Sequence, residues 1–302
     1  MKHIKLFENF DKKSFIDEFC FENYIKNYTI NEDGSIDVND NVALQFTNLN
    51  GKLPIKFNMV QGYFRAISCN LTTLEGFPEY VGGELDFSKN EIKSFEYTPK
   101  HVNGNYICDG NKISEIDEFI KDVKINGTFF AKDNLIENLN HNLPDAKDGL
   151  ELSHNLITSL KGLNTDIRHS HLNLSYNKIE IIDLMPNCFK YYLDVSNNPL
   201  MVIRRCISLR SMNIVMSKTP FQNFNNLIIS CLRYTKSVDP DTLSSGGTLI
   251  ESFRYKIIKK SSDGEYLFDL ERFNLFINEQ GGEEISEDDT KLNKIKEDYT
   301  II

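Results

Sequence analysis

One column of residues constrains this chain more than any other feature. Thr47, Cys69, Asn90, Asn111, Asn134, Asn155, Asn177 and Asn198 follow one another at spacings of 22, 21, 21, 23, 21, 22 and 21. Apolar residues keep step with them. Five places before the column stand Val42, Phe64, Leu85, Tyr106, Phe129, Leu150, Leu172 and Leu193, and three before it Leu44, Ala66, Phe87, Cys108, Ala131, Leu152, Leu174 and Val195. Two places after it the residue is always Leu or Ile, from Leu49 to Leu200, and Leu74, Phe95, Ile116, Leu139, Leu160, Ile182 and Ile203 recur further round. One such unit arises readily by chance. Eight in register do not, so the chain is a tandem array of coils.

The alternating pair before each column position predicts a short strand with every second side chain turned inward. Stacked strands then make a parallel sheet along an inner, concave wall. Each buried side chain contributes roughly 1.5–3 kcal/mol, but only once a neighbouring coil covers it, so about three or more coils are needed. The asparagine stands where the backbone leaves the strand. Asn90, Asn111, Asn134, Asn155, Asn177 and Asn198 are therefore expected to stack as a buried structural column that satisfies main-chain groups no ladder reaches, with Cys69 and Thr47 doing part of that task.

Units such as Leu150-Glu-Leu-Ser-His-Asn155-Leu-Ile157 and Phe87-Ser-Lys-Asn90-Glu-Ile92 resemble those of leucine-rich repeat proteins of the short bacterial and phage type. The resemblance covers roughly residues 29–220, with outer prolines at Pro78, Pro99, Pro144 and Pro186. It implies an α/β-type repeat solenoid: a curved horseshoe with a parallel concave sheet, a mostly irregular convex side of turns, a helical N-terminal cap and a small α+β C-terminal cap. For function it implies protein binding. In one respect the chain departs from the usual pattern, because the apolar residue before each strand (Val60, Val81, Val102, Ile125) lies one place further upstream. Some secreted effectors with similar repeats carry a C-terminal ubiquitin-ligase domain with a catalytic cysteine. Here about 80 residues follow the repeats, and Cys231 in Ser230-Cys-Leu-Arg233 lacks the acidic residue expected close after it.

Three regions follow. Residues 1–28, rich in phenylalanine and charge, place Phe15, Ile16, Phe19 and Tyr24 near helical spacing, with Ser14 or Asp11 as caps; they read as a capping or targeting segment. Residues 29–220 form the solenoid of about eight repeats, with Met212–Ser217 as a degraded last coil. Between Tyr28 and Asn39, Asp33-Gly34 is a hairpin signal; the fit to a calcium loop fails at its first and last positions, Thr29 and Asp40. In residues 221–302, Phe253–Lys260 and Glu265–Phe268 read as paired strands around Asp263-Gly264. Leu270, Phe273, Phe276 and Ile277 share a helical face closed by Gly281-Gly282. This region reads as a cap with a charged tail over 283–298.

A formal net charge of −10 disfavours nucleic acid as a partner, because that affinity rests on neutralising phosphates. There is no apolar run near 18 residues and no secretory core, so no membrane span is expected. Six cysteines without close pairs read as reduced thiols in a cytoplasmic protein. Ser244-Ser-Gly-Gly-Thr248 lacks the following Lys-Ser/Thr of a phosphate loop and reads as a linker. His154 sits too far along its coil to share a metal with His169 and His171. No nucleophile elbow or Cys–His dyad stands at a defensible spacing, so neither an enzyme nor a cofactor is expected.

That leaves the inner wall. Its outward residues four before the column are Ala43, Arg65, Asp86, Ile107, Phe130, Glu151, Asn173 and Asp194. Two before it stand Gln45, Ile67, Ser88, Asp109, Lys132, Ser153, Ser175 and Ser196, and Tyr63, Glu84, Asn105 and Tyr192 join them six before. Tyr63, Ile67, Ile107 and Phe130 are expected to give exposed apolar area, rimmed by Asp86, Asp109, Glu151 and Asp194, with Arg65 and Lys132 between them. Such a surface is how an interface core looks. The reading is a non-enzymatic adaptor binding another protein through Tyr63, Arg65, Ile67, Asp86, Ile107, Asp109, Phe130, Lys132 and Glu151. The alternative is a virion or assembly component that associates through its termini and edges.

Overall fold

In a computed structural model, the structure describes residues 2–163, 171–182, 192–200, 202–203, 213–215, 217–218, 258–260, 266–279, 284 and 286. They belong to two compact units. The first comprises residues 1–178, 186–194 and 212–214; the second comprises 179–185, 195–211 and 215–302.

The first unit begins with helix α1 (Lys2–Glu22), which starts well before Ser14 and Asp11. Those two are therefore helix-interior residues rather than caps: no Pro or Gly interrupts 2–22, so the helix runs through them. Its buried stripe is Ile16, Phe19 and Cys20, whereas Phe15 and, beyond the helix, Tyr24 are exposed. The expected face was thus turned by one position. A hairpin follows, with β1 (Tyr28–Ile30) antiparallel to β2 (Ile36–Val38). Asp33 Oδ1 accepts the Ser35 amide at 2.9 Å inside the turn, which occupies the carboxylate within the loop itself.

Among the described residues, the coils up to Glu151 each contribute to two sheets, and the later coils to the first of them. The first, termed here the front sheet, contains β3 (Val42–Gln45), β5 (Phe64–Ile67), β7 (Leu85–Asp86), β9 (Tyr106–Ile107), β11 (Thr128–Phe130), β13 (Gly149–Glu151), β14 (His171–Asn173) and β16 (Tyr192–Asp194). Its registers run Val42↔Phe64↔Leu85↔Tyr106↔Phe129↔Leu150↔Leu172↔Leu193 without a slip. Residues one repeat apart are therefore neighbours, and all eight of these side chains are buried.

The second sheet corrects the expectation that the rest of the coil is mostly turns. β4 (Phe57–Val60), β6 (Tyr80–Val81), β8 (His101–Val102), β10 (Lys124–Ile125) and β12 (Asp145–Ala146) extend the hairpin into a seven-stranded sheet. Val38, Val60, Val81, Val102, Ile125 and Ala146 form its buried ladder. The upstream shift of Val60, Val81, Val102 and Ile125 is the signature of this sheet. Three residues separate its buried side chain from that of the front sheet, as from Ile125 to Phe129, and a single apolar residue cannot occupy both.

At that corner the coils approach closely. Gly83 N donates to Gly62 O, Gly104 N to Gly83 O and Gly127 N to Gly104 O, at 2.9, 2.9 and 3.1 Å. A Cβ on Gly104 would lie 2.9 Å from the backbone of Gly83 and from the Glu84 nitrogen, so the corner requires glycine there. Between the sheets, aromatic rings replace leucine in the earlier coils. Phe57, Phe64, Phe77, Phe87, Tyr106 and Phe129 step through the core at centroid distances from 5.0 to 5.7 Å. Tyr106 keeps its hydroxyl satisfied by Thr98 Oγ1 at 2.6 Å.

In the second unit, β15 (Ile181–Ile182) pairs in parallel with β17 (Val202–Ile203), the register expected of successive coils. Asn213–Val215, expected as a degraded strand, is β18; its residues 213–214 belong to the first unit, where it extends the front sheet beside β16. β19 (Ile258–Lys260) and β20 (Tyr266–Phe268) pair antiparallel, and α2 (Leu270–Glu279) follows. Asp269 Oδ1 accepts the Arg272 amide at 3.1 Å and so caps this helix. The expectations for Pro186, His169, Cys188, Cys206, Cys231, residues 244–248 and most of the charged tail lie outside the described residues.

Candidate functional site

The front sheet positions its outward side chains by what happens at the end of each strand. The asparagine amide is buried and bridges coils. Asn111 Oδ1 accepts the Ile92 amide at 3.0 Å, and its Nδ2 donates to Phe87 O at 3.1 Å and Cys108 O at 3.0 Å. Asn134, Asn155 and Asn177 repeat the arrangement on Ile113, Ile136 and Ile157. Asn90 accepts from both Cys69 N and Leu71 N. In the second unit Asn198 accepts from Ile179 N at 3.0 Å. Cys69, in the same column, donates its thiol to Leu44 O at 3.1 Å, whereas Thr47 reaches only Gln45 O in its own coil.

The residue before each column position is left-handed: Phe46, Ser68, Lys89, Gly110, Asp133, His154, Tyr176 and Asn197 all have φ between 53° and 66°. Most are not residues that favour this conformation. Their amides nevertheless continue the ladder, with Lys89 N donating to Asp109 O at 2.8 Å and His154 N to Ser175 O at 3.0 Å. The left-handed turn swings the next residue, the asparagine, inward. It also turns its own side chain and that of the residue after the column towards solvent.

On the outward face, Ile107 and Phe130 lie side by side in register. Lys132 Nζ stands 5.8 Å from the Phe130 ring centroid, and Asp109 Oδ1 accepts the Lys132 amide at 2.7 Å. Burial holds the Asp109 carboxyl above its ordinary pKa, and Asp133 and Asp86 push it the same way. Arg65 stacks on Tyr63 at 4.4 Å and pairs with Glu84 at 3.0 Å. Further along, Glu151 accepts from Asn173 Nδ2 at 2.9 Å and lies 3.2 Å from His171 Nε2. The hydrogen bond to Glu151 raises the His171 pKa against the opposing effect of burial. Gly149 leaves room for that imidazole, since a Cβ there would meet the ring at 2.3 Å.

Inward leucines, bridging amides and unbroken parallel registers all recur at a period of about 21 residues. The coil fits a leucine-rich repeat protein. No family model matches the chain, and no curated protein matches it. Among solved structures it is similar to YopM from Yersinia enterocolitica WA-314, with 18% identity and a TM-score of 0.36 over 61% of this chain. The match spans 50% of that protein's length. So distant a likeness adds nothing to the registers above.

The nine face residues singled out in the repeat do not form one patch. Ile107, Phe130, Lys132 and Asp109 are brought together. Tyr63, Arg65 and Ile67 sit two coils away, with Asp86 and Ser88 of the intervening coil between Ile67 and Ile107. Glu151 belongs to the polar group with His171 and Asn173. The sequence reading missed the exposed residues around the column: Leu135 (45% exposed), Leu156 (36%) and Tyr176 (47%). Tyr176 stacks on His154 at 4.2 Å. Their signal was apolar character at positions directly beside a buried asparagine.

The described thiols offer little chemistry. Cys20, Cys69 and Cys108 are free and buried, and burial raises the pKa of each, to about 11 for Cys20. Among the described residues no group of His, Cys, Asp and Glu could hold a metal ion. No helix among them is long and apolar enough to cross a membrane.

Proposed function

We propose that this repeat protein is a non-enzymatic scaffold that binds another protein through the outward face of its front sheet. The observation that carries the reading is the Ile107–Phe130 pair. These are two adjacent apolar side chains on strands fixed by parallel hydrogen bonding, flanked by Asp109, Lys132, Asp86 and Glu151. Apolar anchors within a polar rim are where binding energy concentrates in protein interfaces. A preformed strand array also spares much of the ordering cost of association. The three buried free thiols support a reducing, cytoplasmic setting.

The test compares capture of partners from the native cell, identified by mass spectrometry, by the wild-type chain and by the Ile107→Ala, Phe130→Ala double variant. Both side chains are half-buried rather than exposed, so the variant should fall modestly in melting temperature while staying folded, and lose at least about tenfold in affinity, roughly 1.4 kcal/mol. Undiminished capture would reject this face.

A further inference from the structure

The chemistry of the partner follows from how charge is arranged around that pair, an inference that rests on the reading above. Asp86 registers against Ile107 on the neighbouring strand. Asp109 lies two residues beyond Ile107 on the same outward face, and Asp133 occupies the left-handed position of the next coil. The three carboxylates therefore descend diagonally across adjacent coils. Beyond them stand Leu135 and Leu156, both exposed and one repeat apart. Their amides join the inter-coil ladder, donating to Ile113 O and Ile136 O at 2.9 Å each.

These coils thus carry two apolar strips, one on the sheet face and one past the turn that ends it, with an acidic diagonal between them. Five extended residues would separate them by about 16 Å at most, a span the left-handed turn between them shortens, and successive coils are about 4.8 Å apart. Two lysines, Lys132 and Lys89, stand near the diagonal, and the Lys132 charge acts on Asp109, but among the described residues no lysine or arginine ammonium or guanidinium is paired with its carboxylates. Asp86 Oδ1 accepts only the Ser88 amide, Asp109 Oδ1 accepts the Lys132 amide, and Asp133 meets the His154 ring at 3.9 Å. Lys132 is directed to the Phe130 ring. Arg65 is engaged by Glu84. Burial, together with Asp133 and Asp86, holds the Asp109 pKa above its ordinary value although the neighbouring Lys132 lowers it.

We propose that the occupant is a protein segment carrying a basic side chain between two apolar ones. Its Arg or Lys meets the Asp86–Asp109–Asp133 diagonal, and its apolar side chains rest on Phe130–Ile107 and on Leu135–Leu156. Charge complementarity selects this occupant over a second copy of the chain, whose net charge of −10 opposes self-approach.

The experiment uses the full chain and three labelled peptides of equal length: one alternating Leu with Arg, one Leu with Glu, and one Ser with Arg. Binding is read by fluorescence anisotropy at low and high salt. The Leu/Arg peptide is expected to bind at least about tenfold more tightly than either other peptide, with affinity falling as salt rises. Asp86→Asn with Asp109→Asn keeps the Oδ1 acceptors of the Ser88 and Lys132 amides, so the fold is preserved, and should remove most of that preference. Glu118→Gln with Asp122→Asn removes the same charge from exposed positions off this face and should leave it unchanged.

Equal binding of the Leu/Glu peptide would overturn the proposal, as would an equal loss in the off-face control, which would reveal general acidity alone. Self-association by sedimentation that Phe130→Ala abolishes would assign the face to a second copy and overturn it too. If native capture falls with Ile107→Ala and Phe130→Ala but ignores the aspartate changes, the binding face stands and its basic ligand falls. If native capture ignores all of these variants, both fall.

Discussion

The asparagine column makes the most exacting prediction about what holds this fold together. Asn155 Oδ1 accepts the buried Ile136 amide at 3.1 Å, and its Nδ2 donates to Ala131 O at 2.9 Å and to Leu152 O and Ser153 O at 3.2 Å each. Asn155→Ala orphans one N–H and at least one carbonyl in a place water does not reach. Each such group costs about 1–3 kcal/mol, so a loss of about 2–6 kcal/mol is expected for the two. At about 2–4 °C per kcal/mol that is a fall of at least about 4 °C in melting temperature. Asn155→Cys should cost less, because Cys69 shows that a thiol in this column can still donate to the carbonyl of the preceding coil. Asn155→Asp should cost most at neutral pH, because a carboxylate would face the Ala131 and Leu152 carbonyls. Its burden should ease on acidification, since a buried carboxyl with a raised pKa disfavours the folded state only where it must ionise. The assay is thermal unfolding of the three variants with exposed Glu137→Ala as control, together with hydrogen exchange at the Ile136 amide. A shift for Asn155→Ala no larger than the control's, with Ile136 still protected, would refute the bridging role.

Two further perturbations separate strain from charge. Lys89→Gly should raise stability by up to about 1 kcal/mol and Gly110→Ala lower it by about as much, because both sites are left-handed (φ 57° and 66°) and the space at Gly110 is otherwise ordinary; changes of the same sign in urea unfolding would contradict the strain argument. His171 has its pKa raised by Glu151 in the folded state, so its contribution is fully present below the ordinary histidine pKa and lost as pH rises through the folded value. The pair is partly solvent-exposed, so a loss of under about 1 kcal/mol is expected between about pH 6 and pH 8, and Glu151→Gln should flatten that slope.

Periodic burial made the front sheet legible in the sequence, because Leu150 and Leu172 recur in a column that no surface constraint would produce. The second sheet was harder to read. Its two-residue strands bury one side chain each, so Val81 or Val102 alone carries no alternation. The left-handed column carried a broken compositional signal, present at Gly110, Asp133 and Asn197 and absent elsewhere. Phe46, Lys89 and Tyr176 are not turn formers, and it is the stacked ladder and the asparagine beside them that impose the conformation. On α1 the aromatic residues lie all round the helix, so sequence spacing chose Phe15 where packing chose Cys20. On the face, columns were readable but distance across coils was not. Ile67 and Ile107 share a surface without being neighbours, because the coil between them presents Asp86 and Ser88.

The same geometry decides which face residues report binding and which report folding. Asn41, Asp86, Asn105, Asp109 and Asn173 point outward, yet each lends an Oδ1 to a main-chain amide: Tyr63, Ser88, Thr128, Lys132 and Ser175 respectively. Truncating any of them removes a hydrogen bond of the solenoid itself, so a binding defect in such a variant would confound two causes. No main-chain group depends on the Ile107 and Phe130 side chains, which are hydrocarbon only. A loss of affinity there that exceeds the modest packing loss of these half-buried side chains is a property of the surface. For the carboxylates the informative change is to asparagine, which removes the charge and retains the acceptor. Binding lost in Asp109→Asn at an unchanged melting temperature would therefore belong to the charge and not to the coil.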